Sequence, residues 1–283
     1  LFAIAHKLIT MTFAKELRDG NFPITLEITP PKTSKPTVLL RRASLLESVN
    51  SAVNIIHRPN RQSSLAAAIE LQGNHIESIW HLTVGGKSRE AIQSEIENAQ
   101  ATGLKNVLCL LGDNASKGEL KVHETITLLR EKLSPPLIAT AFDQYQNKSN
   151  KYNILSKKIT AGATCIWTQP VLESRKLQKE AEQLKSTYAD ILIIAMAMPL
   201  IRRDQLDRIT ERLNIPEQPN LENRINAGEN EAWKVFDENV LNLATSPYID
   251  GLAIMTFETD PEPQIGQRIM ESLKIAKTAM PGA

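Results

Sequence analysis

The 283-residue chain is 42% hydrophobic, enough for one large α/β domain with its own core. Its 33 Lys+Arg stand against 32 Asp+Glu and only 5% of its residues are aromatic, which excludes a global pull toward nucleic acid or an anionic membrane surface. The longest apolar run, ILIIAMAMPLI from Ile191 to Ile201, has eleven residues against the roughly 20 of a spanning helix, so a cytoplasmic protein is expected, with no membrane and no nucleic acid among its partners.

In chain order, the first ten residues, LFAIAHKLIT, lack the basic and apolar regions of a signal peptide, and the native start is expected near Met11. Residues 1–20 read as an extension and lead-in helix, and 21–283 as the catalytic domain. The first strand, ITLEITPPK from Ile24, carries one carboxylate, Glu27, among β-favouring residues, and Pro30 and Pro31 end it. A charge at the end of a buried strand must be solvated, paired or put to use. Further strand-like runs begin near Ala52, Glu77, Asn106, Leu137, Thr164, Ile191 and Gly251, each followed by a helical pattern; the first seven recur every 25 to 31 residues. Helices are predicted over Lys87 to Thr102 and Val122 to Leu133, with Gly103 and Gly162 as C-terminal caps. Cys109 and Cys165 sit inside apolar runs and read as core thiols of a reducing compartment, and no zinc ligand set is present.

Between the seventh and eighth strands the spacing widens to about 60 residues, and extra helices are predicted from about Pro219 to Ala244. Eight strand-helix units without a GxGxxG signal predict a single (β/α)8 TIM barrel with extra helices between strands seven and eight, rather than a doubly wound sheet. The active site of such a barrel forms at the carboxyl ends of its strands, which selects Glu27, His57, His81, Thr83, Asp113, Asp143, Gln169 and Glu258.

LEITPP, WHLT, NVLCLLGD and AGATCIWTQP, in this order and spacing, resemble the methylenetetrahydrofolate reductase family over roughly Ile24 to Phe257. The resemblance implies an enzyme of one-carbon metabolism and methionine biosynthesis. It would reduce 5,10-methylenetetrahydrofolate to 5-methyltetrahydrofolate with FAD, and with NADH or NADPH as hydride donor. It places the general acid on Glu27, a flavin- and folate-facing aspartate on Asp113 and a pterin-contacting glutamine on Gln169. His81, Leu111, Gly112, Asp113, Lys157 and Lys158 match flavin-contacting positions. Folate is then the expected small-molecule partner, and a homo-oligomer is left open.

The chemistry accounts for these residue types. Protonating N10 opens the methylene bridge to a reactive N5 iminium, so a carboxylic acid kept neutral is required, and burial beside Leu26, Ile28 and Pro30 would favour that form. Asp113 would stabilise the N5 cation and make nearby flavin harder to reduce, and Gln169 offers the acceptor and donors that suit an amide-like pterin edge.

Four positions depart from the family pattern: Ile56 where threonine is common, VGGKSR after the third strand, AFDQYQNKSN after the fifth, and Glu258 and Thr259 where a basic residue often meets the folate tail. They lie on cofactor and substrate walls, and weaker FAD binding is expected. The alternative is a relative that binds folate or pterin, or serves a partner subunit, with lost or altered flavin chemistry. A Schiff-base lyase would need a lysine on an inner strand, and none of the strand runs contains one.

Overall fold

The computed structural model describes residues 12–112, 118–133, 137–146 and 148–280. Eight parallel strands close into a barrel: β1 (Ile24–Ile28), β2 (Ala52–Ile55), β3 (Ser78–Thr83), β4 (Asn106–Leu110), β5 (Leu137–Phe142), β6 (Cys165–Pro170), β7 (Leu192–Ala197) and β8 (Gly251–Met255). Each pairs with the next, and β8 returns to β1 with Glu27 opposite Met255. The expected (β/α)8 architecture is therefore present.

The helices are α1 (Phe13–Arg18), α2 (Pro36–Ala43), α3 (Ser64–Gly73), α4 (Arg89–Ala101), α5 (Val122–Lys132), α6 (Lys148–Ala161), α7 (Ser174–Thr187), α8 (Arg203–Arg212), α9 (Pro219–Asn226), α10 (Glu229–Ala244) and α11 (Pro263–Thr278). Local chemistry sets several ends. Ser63 and Ser88 cap α3 and α4 by accepting the Ala66 and Ala91 backbone N–H groups, and Gly103 leaves α4 at a φ of 74°, a conformation that a Cβ would strain. Three helices occupy the β7–β8 interval. α10 packs against α7, α11 and both strands as a member of the outer ring, so α8 and α9 are the additions to the plain barrel.

Two apolar layers follow from strand alternation. Leu26, Val53, Trp80, Val107, Ile166 and Leu252 face outward to the helices. Ala52, Ile79, Leu108, Ala139, Trp167 and Ala253 fill the barrel, joined from below by Phe13 and Leu17 of α1. Glu16 accepts from Ser51 just before β2, which fixes α1 at the amino-terminal end of the strands. The opposite end is left to build a site.

Candidate active site

Alternation also decides what meets at the carboxyl end. Ile24, Leu26 and Ile28 pack in the outer layer, so Thr25 and Glu27 face the barrel axis. Glu27 is in register with Asn54 of β2, which lies between the outward-facing Val53 and Ile55. Asn54 Nδ2 donates to Glu27 Oε2 at 2.9 Å, and Asn54 Oδ1 lies 2.9 Å from His81 Nε2 on β3. Three adjacent strands thus contribute one polar chain, all of it buried. Leu26 and Ile28, expected to wall the carboxyl, turn away to the helices. Among the described residues its neighbours include Asn54 and, across the β1–β8 pair, Met255.

Burial, helped by the nearby His57, pushes the His81 pKa down from 6.5 to about 3, so its imidazole is neutral. An amide oxygen only accepts, and the contact to Asn54 therefore places the ring hydrogen on Nε2. His57, half-buried, is also held below its ordinary value, first by desolvation and then by the charge of Lys87, with Glu95 opposing.

The His81 shift has a sign for stability. The unfolded chain takes up this proton near pH 6.5 and the folded chain only near 3, so the contribution is complete above 6.5 and is lost as the pH falls from 6.5 toward 3. His81→Gln, which keeps a donor for Asn54, should reduce the slope of unfolding free energy between pH 6 and 4 by up to about 1.4 kcal/mol per pH unit. Denaturant titrations of both proteins across this range check it; parallel pH profiles would refute a buried neutral His81.

Two cavities open above the polar chain. The larger, about 870 Å³, is lined by Glu27, His57, His81, Thr83 and Gln169 among polar residues, with Leu108, Leu110 and Trp167 as apolar wall. The smaller, about 540 Å³, lies between β1, β8, α2 and α8. Glu27, Ile56, Arg58, Arg212 and Met255 line both, so the two adjoin at the Glu27 carboxyl. Among the described residues neither Arg58 nor Arg212 is in an ion pair, whereas Arg41 and Arg42 are engaged by Asp260.

Gln169 is positioned by its neighbours. Gln144 clamps its backbone, donating to the Gln169 carbonyl at 2.9 Å and accepting its N–H at 3.0 Å. Tyr145 Oη donates to the Pro170 carbonyl at 2.8 Å and accepts the Leu172 N–H at 3.1 Å; burial pushes this phenol up to about 12, so it stays neutral. The loop after β5, which departs from the family pattern, thereby supports the end of β6.

The other selected residues divide. Gly112 and Leu111 form the cavity wall beyond β4, with Gly112 at a φ of 96° and Leu111 exposed. Lys158 Nζ donates to the Ala141 carbonyl at 2.9 Å, and burial lowers its pKa; Lys157 is exposed on α6 and lines neither cavity. Asp143 caps its own turn by accepting the Tyr145 N–H, and Glu258 lies in the smaller cavity 3.5 Å from Arg202. Asp113, like residues 1–11, lies outside the described residues. Asn54, Arg58 and Arg212 were not singled out from the sequence. Asn54 had a signal, since asparagine is disfavoured in strands and this one interrupts the apolar run AVNII.

The larger cavity suits a planar, amide-edged aromatic group. Leu108, Leu110 and Trp167 offer apolar surface, Gly85, Gly112 and Ala141 leave room for close approach, and the buried Trp167 indole N–H has no hydrogen-bond partner among the described residues. These residues fit a flavin ring. Among the described residues no group of three His, Cys, Asp or Glu side chains is arranged for a metal ion, and no helix is long and apolar enough to cross a membrane. Cys109 and Cys165 are free and buried.

The sequence model of the family described as methylenetetrahydrofolate reductase matches residues 12–255. The chain is 24% identical over 211 residues to a 5,10-methylenetetrahydrofolate reductase of Pectobacterium carotovorum subsp. carotovorum, covering 69% of this chain and 70% of that one. Among solved structures it is similar, with a TM-score of 0.66 and 14% identity, to an uncharacterized Clostridium thermocellum protein described as binding two copies of 5-methyl-5,6,7,8-tetrahydrofolic acid; the match covers 94% of this chain and 99% of that one. It is also similar, with a TM-score of 0.50 and 12% identity, to a thiamine phosphate pyrophosphorylase of Pyrococcus furiosus, over 94% and 100% of the two chains. At these identities the two solved structures speak to the fold alone.

Proposed function

The chain belongs to the methylenetetrahydrofolate reductase family of oxidoreductases, and from that premise we propose that it reduces 5,10-methylenetetrahydrofolate to 5-methyltetrahydrofolate. The observation that carries this reading is the buried Glu27–Asn54–His81 chain at the base of an apolar-walled cavity that also holds Gln169. FAD, held by the wall of the larger cavity, would supply the hydride, with NADH or NADPH as its source. Neutral Glu27 protonates N10, the ring opens, and the N5 iminium carbon is ready for reduction. Gln169, fixed by Gln144, presents its amide to the pterin edge.

Asp113, which follows Gly112 in the sequence, is assigned the N5 cation and the tuning of the flavin. His81, Leu111 and Gly112 are assigned to the flavin ring on the β3–β4 wall, and Lys157 and Lys158 of α6 to its phosphates. Position 258, where a basic residue often serves the folate tail, is an acid here, and the charge comes instead from Arg58 and Arg212 at the junction of the two cavities. These guanidiniums would meet the carboxylates of the glutamate tail. Buried free cysteines suit the reducing cytoplasm.

The test is anaerobic incubation of the protein with FAD, methylenetetrahydrofolate and either NADH or NADPH. 5-Methyltetrahydrofolate should form in proportion to the nucleotide oxidised. Saturable folate binding with no flavin binding and no product would favour a second reading, a folate-binding relative without the redox step. Two observations favour that alternative: Ile56 lines both cavities in place of a hydroxyl, and Lys157 lines neither.

A further inference from the structure

We infer that Asn54 is a positioning residue for Glu27: it holds the carboxyl through Oε2, so that the acidic proton resides on Oε1, and it stabilises the carboxylate left when that proton has gone. The inference rests on the reading of Glu27 as the acid and goes beyond it in assigning a second residue and one oxygen.

The geometry has three parts. Asn54 Nδ2 donates to Glu27 Oε2, and an oxygen that accepts from an N–H in a neutral carboxyl is the carbonyl oxygen, which leaves the hydroxyl to the other. Asn54 could satisfy a protonated acid equally well after a half-turn of its amide, with Oδ1 toward Glu27. That turn would bring Nδ2 against His81 Nε2 and require the hydrogen of the neutral imidazole to sit on Nδ1, so the orientation of Asn54 and the tautomer of His81 form one arrangement and the tautomer reports it. His81 is in turn held by its strand end, where Ser64 Oγ donates to the His81 carbonyl at 2.6 Å. The direction of donation thus runs from His81 through Asn54 to Glu27.

This direction suits an acid. As Glu27 gives up its proton, charge develops on the carboxyl, and the bond from Nδ2 becomes charge-assisted without any group having to move. Asn54 is fully buried and exchanges no partner with water during that step. Register supplies the placement, since Glu27 and Asn54 are direct β1–β2 partners on the inner face.

Single-turnover kinetics of pre-reduced enzyme with methylenetetrahydrofolate test the inference in four proteins: wild type, Asn54→Leu, Glu27→Gln and the double variant. Asn54→Leu should slow hydride transfer about 10- to 100-fold, the usual worth of a hydrogen bond to a charged group, with little change in folate Kd. In the Glu27→Gln background it should add less than about 3-fold, because a residue that acts through Glu27 has nothing left to position. Equal losses in both backgrounds, or none in the first, overturn the inference. The wild-type protein gives a second measurement that needs no variant to fold: ¹⁵N NMR should show His81 neutral with its hydrogen on Nε2 from pH 6 to 8. A hydrogen on Nδ1 overturns the inference alone, whereas absence of any folate product from wild type removes the reading of Glu27 on which it rests.

Discussion

Glu27→Gln should lower the reduction of methylenetetrahydrofolate by about 100-fold or more, while reduction of the enzyme by NAD(P)H changes by less than about 3-fold. The substitution keeps the side chain's length and an oxygen to accept from Asn54 Nδ2, and it removes only the proton that can be delivered to N10. Hydride movement from nicotinamide needs no proton from this position, so the two half-reactions separate. A structural role predicts something else. If Glu27 served instead as a buried carboxylate whose charge holds the β1–β2–β3 end together, removing that charge would loosen the end and damage both half-reactions with the melting temperature. Rapid-mixing kinetics of each half-reaction, with a thermal melt of the same preparation, decide between the two, and equal losses would remove Glu27 from the chemistry.

That experiment turns on a residue legible in the sequence, and the reasons are instructive. Glu27 and His81 were visible because each is a polar residue at the end of a run that is otherwise apolar or β-branched, and the strand repeat placed both at one mouth. The strands themselves start within one residue of the predicted positions, since Ser78, Cys165 and Leu192 replace Glu77, Thr164 and Ile191 and the rest coincide. Asn54 was hidden for a different reason. It lies mid-strand, and its importance comes from the β1–β2 register and from a histidine on a third strand, neither of which local periodicity encodes. Arg58 and Arg212 depend still more on tertiary structure: one sits in a loop and the other on α8, and only the folding of the β7–β8 interval over the mouth brings them to a shared wall. Lys157 and Lys158, matched as a pair by motif, occupy different surroundings in the fold. Consecutive residues on a helix point about 100° apart, so such a pair meets one target only through the length of its side chains. Here the second turns in to the Ala141 carbonyl and the first faces solvent.

Phe13→Ala should cost about 3–5 kcal/mol of stability and lower the melting temperature by roughly 6–15 °C, although the residue lies at the far end of the barrel from the site. α1 has only six residues and is too short to persist by its own propensity. What holds it is burial of Phe13 and Leu17 in the barrel floor, with Phe13 fully buried and its ring centroid 6.3 Å from that of Trp167. Removing the ring leaves a void beneath Trp167 that the closed ring of strands cannot collapse to fill. Trp167 spans the interior, touching α1 below and lining the larger cavity above, so a void below it reaches the floor of the site. Ligand affinity should therefore fall together with stability, and Phe13→Leu, which restores most of the volume, should recover the greater part of both. If α1 merely lay against the barrel, Phe13→Ala would cost less than about 1 kcal/mol and leave affinity unchanged. Denaturant unfolding and folate titration of the Ala and Leu variants distinguish a plug from a cover, because only a plug transmits the loss of one ring through Trp167 to the opposite end of the strands.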